Sequence, residues 1–273
     1  MTDDQRDMVK HVFDGAADTY DAVGVSMFQP IADQLVAGLG PRPGEAALDV
    51  GCGRGAVLFR LAPAVGPQGR AVGIDLSPRM VAATAADAAA HGLDVEVLEG
   101  DAQEPAVPDG TFDIVASSLV LFFLPDPDAA LRSWHRALRP GGRLGVSTFG
   151  ELSDSWRAVD ATFAPFLPPG MADPRTRDAE TPFGSDACME RLVAGAGFTE
   201  VHTTTLTVPV RFDDEEQWYR WTMSTGQRRM WAAVPEPQRA GVRAAAEERL
   251  QDTRDADGRI GFDQVARFTY GRR

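Results

Sequence analysis

The chain has 273 residues, 44% of them hydrophobic, which is enough for one large domain or two small ones. A formal net charge of −13 at pH 7 argues against a nucleic-acid partner and against an anionic membrane surface. Two cysteines and four scattered histidines provide neither a disulfide framework nor a ligand set, so we expect no metal. The sequence contains no signal-peptide pattern and no apolar run of membrane-spanning length, which predicts a cytoplasmic protein.

The first 43 residues predict an N-terminal helical cap. Thr2 to Gln5 match a capping box, and an apolar stripe follows at helical spacing until Gly15. A second apolar segment covers residues 28–39. The Pro/Gly cluster at 40–44 then separates the cap from the first strand.

Residues 44–149 alternate between strands and helices. The predicted strands are 46–50, 70–74, 95–98, 112–124 and 143–148, and the predicted helices are 56–62, 77–92 and 126–138. Such alternation predicts an α/β fold, a doubly wound and mostly parallel sheet covered by helices on both faces. This segment is the expected cofactor-binding core.

The second half of the chain adds two strands to the same predicted sheet. Its predicted elements are a helix capped by Ser185, a strand over 198–212, a helix from Asp213, a charged helix over 237–251 and a strand over 261–270. We therefore expect one domain, 1–273, with a seven-stranded sheet. Residues 185–212 and 259–273 complete the core, 150–184 form an irregular cap insertion, and 213–258 form a second cap insertion.

A glycine-rich turn lies where the first predicted strand meets a helix, in Leu48-Asp49-Val50-Gly51-Cys52-Gly53-Arg54-Gly55. Gly51 and Gly53 allow a tight turn and a close approach of the backbone to a ligand. The following helix directs free backbone N–H groups toward the same place. The turn indicates a nucleotide-like cofactor but does not say which one.

Two cofactor classes fit this turn. Gly51, Gly53 and Ala56 match the dinucleotide fingerprint, and Asp75 lies where a ribose-binding acid is expected, so an NAD-dependent oxidoreductase remains an alternative. The second class is a cofactor that carries an ammonium group. Asp49 argues for this class, because its carboxylate would repel a pyrophosphate and suits an ammonium group. Asp101, at the end of the third predicted strand, can accept a hydrogen bond from an adenine amino group.

Four segments together resemble the class I S-adenosylmethionine-dependent methyltransferases, of the type that acts on small molecules. They are LDVGCGRG (48–55), GIDLSPRM (73–80), EGDAQEPAVPDGTFDIVASS (99–118) and LRPGGRL (138–144), in the order and spacing of that family. The resemblance is strong over residues 44–149 and loose elsewhere. It implies a Rossmann-like methyltransferase fold and S-adenosyl-L-methionine as cofactor.

The resemblance also implies roles for residues around the methionine part of the cofactor. Asp49 would lie near the methionine ammonium group, and the Ser117 backbone carbonyl would accept a hydrogen bond from it. Gly51, Cys52 and Gly53 would form the turn that approaches this part of the cofactor.

Other residues would bind the adenosine part. Asp75 would accept hydrogen bonds from both ribose hydroxyls, and Leu76 and Met80 would pack on the adenine. Asp101 would accept from the adenine amino group, and the Ala102 N–H would donate to a ring nitrogen. In the family, a tyrosine of the N-terminal cap closes over the cofactor, and Tyr20 is its counterpart here.

The sequence offers no clear general base, so the catalytic residues are unknown. His91, His135 and His202 suit structural or solvated positions. His11, on the N-terminal cap, is the one histidine expected near the pocket, and a structural role is favoured for it too. Family members with a histidine after the fourth strand have it near residues 121–123, where this chain has none. Methyl transfer is therefore expected to depend mainly on proximity and orientation.

The acceptor pocket is expected between the caps. Its candidate residues are Tyr20, Met27, Phe28, Phe122, Trp156, Trp218 and Trp221, which suit an apolar or aromatic small molecule such as a secondary metabolite. Packing of their helix onto the sheet is an equal alternative for Trp218 and Trp221. A cofactor-binding protein of this fold that does not methylate remains a further alternative, and the chain is expected to be a monomer or a homodimer.

Overall fold

A computed structural model describes residues 3–167 and 181–273, with side chains described from residue 6 onward. The strands are β1 Ala46–Val50, β2 Arg70–Asp75, β3 Glu96–Glu99, β4 Phe112–Ser118, β5 Leu138–Phe149, β6 Thr199–Phe212 and β7 Ile260–Arg272. The helices are α1 Asp3–Ala16, α2 Phe28–Leu39, α3 Leu58–Val65, α4 Pro78–Ala90, α5 Pro127–Ala137, α6 Asp154–Asp160, α7 Asp186–Gly195, α8 Glu215–Met223, α9 Arg228–Ala233 and α10 Glu236–Leu250. Thr2 of the predicted capping box lies outside the described residues. None of the described helices is both long and apolar enough to cross a membrane.

One seven-stranded sheet organises the fold, in the order β3-β2-β1-β4-β5-β7-β6. Strands β1 to β5 pair in parallel, and β7 runs antiparallel to both β5 and β6. On β1, Ala47 belongs to the apolar cluster that includes α2 and α3, and Leu48 to the one that includes α5 and α7. Neighbouring strand residues face opposite sides of a sheet, so the two clusters lie on opposite faces. Helices therefore cover both faces, and the predicted fold class is confirmed.

Strand β4 is shorter than the predicted strand over 112–124. It ends at Ser118, Leu119 takes a left-handed conformation with φ 59°, and residues 121–123 form a 3-10 turn. The apolar run continues beyond the strand because its side chains line a cavity at the carboxyl edge of the sheet. Hydrophobicity alone does not separate these two uses of an apolar run.

The predicted irregular segment 150–184 is partly helical, so that prediction is wrong for residues 154–166. Helix α6 begins after Ser153, whose hydroxyl accepts a hydrogen bond from the Trp156 N–H at 3.3 Å, and a 3-10 helix follows over 161–166. Residues 168–180 lie outside the described part. Helix α9, inside the predicted insertion 213–258, was also missed.

Strands β6 and β7 form an antiparallel pair that extends past the end of β5, and although α8–α10 connect the two strands we call this pair the hairpin. The last pair between β5 and β7 is Phe149 with Ala266, whereas β6 and β7 stay paired as far as Phe212 and Ile260. Residues 207–212 and 260–265 therefore project beyond the carboxyl edge of β5. Aromatic side chains of α6 and α8 pack on this projecting half, and we call the resulting unit, α6 and α8–α10 with the projecting hairpin, the hairpin lobe.

Candidate active site

A cavity lies at the carboxyl edge of the sheet, between the N-terminal cap and the hairpin lobe. Eight predicted cofactor residues line it, namely Tyr20, Gly51, Gly53, Asp75, Leu76, Met80, Asp101 and Ala102. Besides Tyr20, which is also an acceptor candidate, four predicted acceptor residues line it, namely Met27, Phe28, Phe122 and Trp221. The carboxyl edge of a parallel sheet is where folds of this class place their ligands.

The glycine-rich turn is fixed to β2 by two backbone hydrogen bonds. Gly51 N and Cys52 N both donate to the Ile74 carbonyl, at 2.7 and 2.9 Å. Gly51 has φ 73°, and a Cβ there would lie 2.4 Å from Val120 Cγ2, so the protein itself requires this glycine. Gly53 has φ 50° with nothing within 4 Å of its Cβ position, so the space beside it is open to a ligand.

Asp75, at the end of β2, connects the turn to helix α4. Its Oδ2 accepts from Gly53 N at 2.8 Å and its Oδ1 from Ser77 N at 2.9 Å. Burial raises the pKa of the Asp75 carboxyl, and the backbone hydrogen bonds counteract that rise. Since a carboxylate has about four lone-pair sites, these bonds leave acceptor capacity for a ligand such as a diol.

Asp101 lies beneath α1 at the far end of the same edge. Its Oδ1 accepts from Gln103 N at 2.9 Å, and Arg6 Nε on α1 lies 3.7 Å from its Oδ2. Lys10, one turn further along α1, donates to Glu99 at 2.8 Å. The N-terminal cap thus covers the end of the cavity where the resemblance places adenine.

Three predicted cofactor residues, Asp49, Cys52 and Ser117, are buried behind the cavity wall and do not line it. The Ser117 hydroxyl donates to the Val50 carbonyl at 3.0 Å, and Ser118, the next residue, lines the cavity instead. These side chains point into the protein layers because they lie on, or directly after, central strands. The Asp49 and Cys52 side chains therefore lie beneath the turn, and their roles toward the cofactor stay a prediction.

Asp49 is a carboxyl group without normal hydrogen bonds. Neither Oδ atom has a partner of good geometry among the described residues. Burial raises the pKa of Asp49 to about 8, the Leu58 backbone N–H partly counteracts this, and the charge of Asp75 adds to it. A cation bound at the turn would favour the ionised form of this carboxyl.

Aromatic rings close the cavity on the side of the cap. Tyr20 stacks on Phe28 with ring centroids 5.1 Å apart, and Phe13 lies between Tyr20 and Phe123, at 6.3 and 5.5 Å. Burial raises the pKa of the Tyr20 phenol far above its usual range. Tyr20 therefore keeps its proton at neutral pH and is unsuited to act as a base.

Two predicted acceptor residues, Trp156 and Trp218, do not line the cavity, and these predictions are corrected. Trp156 stacks on Phe262 of the hairpin with ring centroids 3.8 Å apart, and Trp218 packs against Trp231 at 6.1 Å. Both are almost fully buried in the hairpin lobe. Packing is thus the correct interpretation for Trp218, whereas Trp221, three residues later, does reach the cavity.

The comparisons with known proteins identify the family. A family model described as a methyltransferase domain matches residues 47–142. The chain is 40% identical over 244 residues to nocamycin O-methyltransferase of Saccharothrix syringae, covering 85% of this chain and 87% of that protein. The chain belongs to the class I S-adenosylmethionine-dependent methyltransferases. The methyltransferase is also 41% identical over 162 residues to aklanonic acid methyltransferase DauC of a Streptomyces species, covering 59% of this chain and 70% of the relative.

Solved structures agree with the fold of the methyltransferase. The YcgJ protein of Bacillus subtilis superposes with a TM-score of 0.61 at 16% identity, covering 89% of this chain and 98% of that one. The [4+2]-cyclase SpnF superposes with a TM-score of 0.54 at 22% identity, covering 90% and 80%. At these identities the likeness concerns the fold alone, so the sequence relatives decide for a methyltransferase over an oxidoreductase.

The residues at the carboxyl edge fit S-adenosylmethionine, the cofactor of the family. The open space beside Gly53, the unused acceptor sites of Asp75 and the carboxylate of Asp101 suit the parts of an adenosine that carry hydroxyl and amino groups. When bound, the cofactor supplies the methyl group, which its sulfonium charge activates. The protein's task is then to orient the acceptor and exclude water.

Several cavity residues were not predicted from the sequence. They include Phe13, Leu119, Phe123, Phe149, Arg229 and Gln264. Arg229 lies on the unpredicted helix α9, with its guanidinium 5.4 Å from the centre of the Phe123 ring. For Gln264 a signal existed, because it is a polar residue at an inward position of β7, between Phe262 and Ala266.

Proposed function

We propose that the methyltransferase transfers the methyl group to an oxygen of an apolar small molecule of secondary metabolism, and that this oxygen is already ionised at neutral pH, as in a carboxylic acid. The apolar side of the cavity supports the first part. Its wall there consists mainly of the side chains of Met27, Phe28, Phe122, Phe123, Phe149, Trp221 and Met230. Such a wall favours a flat, apolar acceptor.

The observation that carries the second part is the lack of a base in the cavity wall. Among the described lining residues there is no histidine and no lysine, and Tyr20 keeps its proton. Asp75 and Asp101 lie at the opposite end, where adenosine is expected. An acceptor that must lose a proton during transfer needs a base within hydrogen-bond reach, whereas an ionised carboxylate does not.

The positions of the four histidines also support an acceptor that needs no general base. His135 packs edge-on against Phe198 with ring centroids 4.9 Å apart, and burial lowers the pKa of its imidazole. His202 stacks on Tyr270, and His11 is exposed on α1. None of the four histidines belongs to the cavity wall.

The charge in the cavity wall and the name of one relative agree with an acidic acceptor. Arg229 is the single cationic side chain among the described residues of the cavity wall, so its charge lies on the acceptor side. One relative is named for nocamycin O-methylation, and another for the methylation of aklanonic acid. That this enzyme acts on an acceptor of a similar kind is part of the proposal.

The test is incubation of the enzyme and S-adenosylmethionine with matched aromatic carboxylic acids, phenols and amines. We expect S-adenosylhomocysteine and a methyl product with the acids, and release of methanol when mild alkali cleaves the methyl ester. Products that resist alkali, formed from phenols or amines only, would contradict the acidic acceptor. Cofactor binding without any S-adenosylhomocysteine across the panel would favour a protein of this fold that does not methylate.

A further inference from the structure

Gln264 is a polar residue in an apolar row of β7. Inward positions of this strand hold Ile260, Phe262 and Ala266, all buried, and Gln264 between them is completely buried as well. Burying an amide lowers stability unless its hydrogen bonds are made. A glutamine at this position therefore requires an explanation other than packing.

The Gln264 amide is only half satisfied. Its Nε2 donates to the Val265 carbonyl at 2.7 Å, which identifies the nitrogen end, because an oxygen there would face another oxygen. The Oε1 atom has no hydrogen-bond partner among the described residues. Gln264 lines the cavity, two residues beyond Ala266, the partner of Phe149 at the end of β5. Gln264 is thus a residue of the cavity wall, just past the carboxyl edge of the sheet, and it carries a buried acceptor atom without a partner.

Other buried polar groups without partners help to interpret this one. The Trp156 and Trp218 indole N–H groups also lack partners but lie away from the cavity, so an unpartnered indole alone does not indicate a ligand. Thr148 Oγ1 is equally buried, unpartnered and away from the cavity wall. Of the described residues with such an unpartnered atom, Gln264 and Trp221 belong to the cavity wall, and of these two only Gln264 presents an acceptor atom, since the Trp221 indole N–H is a donor.

We propose that Gln264 determines acceptor specificity by accepting, at Oε1, a hydrogen bond from a hydroxyl group of the acceptor. This inference rests on the proposed function. An ionised carboxylate has no proton to donate, so the hydroxyl is a second group of the acceptor, distinct from the methylated oxygen. An acceptor without it leaves the Gln264 carbonyl buried and unpaired, and sites built to bind a hydroxyl discriminate strongly against such analogues.

The test compares the wild type with Gln264→Met, an apolar side chain of similar length, and with Thr148→Val, which removes an unpartnered buried hydroxyl outside the cavity wall. Binding is measured by calorimetry with S-adenosylhomocysteine present. The probes are two pairs, hydroxynaphthoic acid with naphthoic acid, and hydroxyanthraquinone carboxylic acid with anthraquinone carboxylic acid. In at least one pair we expect the wild type to bind the hydroxylated acid about tenfold more tightly.

Gln264→Met is expected to bring that ratio close to one, and Thr148→Val to leave it unchanged. A ratio near one in the wild type for both pairs, or a ratio that survives Gln264→Met, would overturn the proposal. Failure of every acid to bind the wild type would instead overturn the acceptor class proposed above. Binding without hydroxyl selectivity overturns only the role of Gln264.

A second measurement separates recognition from a structural role. Without any acceptor, Gln264→Met is expected to melt at the same temperature as the wild type or higher, because the variant no longer buries an unpaired carbonyl. A fall in melting temperature of more than about 3 °C would show that the amide stabilises the fold, and would count against the proposal.

Discussion

At the scale of single residues, Asp75 combines two tasks that can be separated. It accepts hydrogen bonds from Gly53 N and Ser77 N, and it is expected to bind the ribose. Asp75→Ala should weaken cofactor binding by roughly 1.5–3 kcal/mol, because hydrogen bonds to a charged group are lost. It should also lower the melting temperature, because two backbone N–H groups lose their acceptor. Calorimetry with S-adenosylhomocysteine and thermal unfolding measure the two effects.

Two further variants control for this experiment. Asp75→Asn keeps one acceptor oxygen for the turn, so we expect a smaller loss of stability with a comparable loss of affinity. Asp128→Ala removes a partly exposed acid that pairs with Arg132 on α5, away from the cavity, and should change neither quantity measurably. A dissociation constant that Asp75→Ala leaves unchanged would contradict the assignment of Asp75 to the ribose.

Asp49 predicts how stability depends on pH. Its pKa is about 8 in the folded protein and near 3.8 in the unfolded chain, so between these values the folded state holds a proton that the unfolded state has lost. The stability from this proton is complete below pH 4, falls as the pH rises, and is lost above pH 8. We expect Asp49→Asn to remove this pH-dependent part of the free energy of unfolding, which is on the order of a few kcal/mol over the whole pH range.

Urea unfolding at several pH values between 5 and 9 measures this effect. Asp75, whose pKa is also raised by burial, contributes a slope of the same sign that remains in the Asp49→Asn variant. The difference between the wild type and the variant therefore isolates Asp49. Identical slopes for the two proteins would mean that Asp49 is ionised when the protein is folded.

At the scale of elements, the glycine-rich turn contains two glycines that serve different purposes. A Cβ at Gly51 would collide with Val120, whereas a Cβ at Gly53 would meet open space. Gly51→Ala should therefore lower both stability and cofactor affinity. Gly53→Ala should lower stability only by the left-handed backbone cost, about 1 kcal/mol, while weakening cofactor binding because its methyl enters the cavity.

Gly110→Ala provides the matched control, since Gly110 has φ 61°, no atom within 4 Å of its Cβ position and no place in the cavity wall. It should reproduce the stability loss of Gly53→Ala without any loss of affinity. Adding Val120→Ala to Gly51→Ala should recover part of the stability that the clash removes. Equal stability losses for Gly51→Ala and Gly53→Ala would refute the clash. Thermal unfolding and calorimetry provide both quantities.

Much of the sheet could be predicted because its signals are local. The glycine turn after β1, Ser77 before α4 and Ser185 before α7 each act within a few residues, and both serines accept the expected capping hydrogen bond. The end of β4 could not be found in this way. Its apolar run serves a strand and then a cavity wall, and only the tertiary structure divides it after Ser118.

The acceptor side was harder to predict because it depends on contacts between distant elements. Trp156, Trp218 and Trp221 share one residue type, yet only Trp221 lines the cavity. Which ring faces the cavity depends on how α6 and α8 lie against the β6–β7 hairpin, and no local pattern specifies that. The division of the chain into core and cap insertions stays a prediction.

At the scale of the whole molecule, the acceptor side and the cofactor side belong to different parts of one sheet. Most of the predicted cofactor residues lie at the ends of β1 to β3 and in the following turns, whereas Gln264 and Trp221 belong to the hairpin lobe. The hairpin extends the sheet past the edge of β5 and so brings the lobe over the cavity. This arrangement allows the lobe to vary while the cofactor edge stays the same.

Trp156 tests whether the lobe is stabilised separately from the cofactor edge. Its indole is fully buried and stacks on Phe262 and Phe212, with ring centroids 3.8 and 6.4 Å apart. Trp156→Ala should lower the free energy of unfolding by about 3–5 kcal/mol, because a large buried ring is replaced by a cavity. The dissociation constant for S-adenosylhomocysteine should change by less than about twofold, measured below the onset of unfolding, since additivity holds for sites without shared contacts.

Asp263→Ala, at an exposed position of the same hairpin, should change neither quantity appreciably. A large loss of cofactor affinity in Trp156→Ala would show that the lobe and the cofactor edge are energetically coupled.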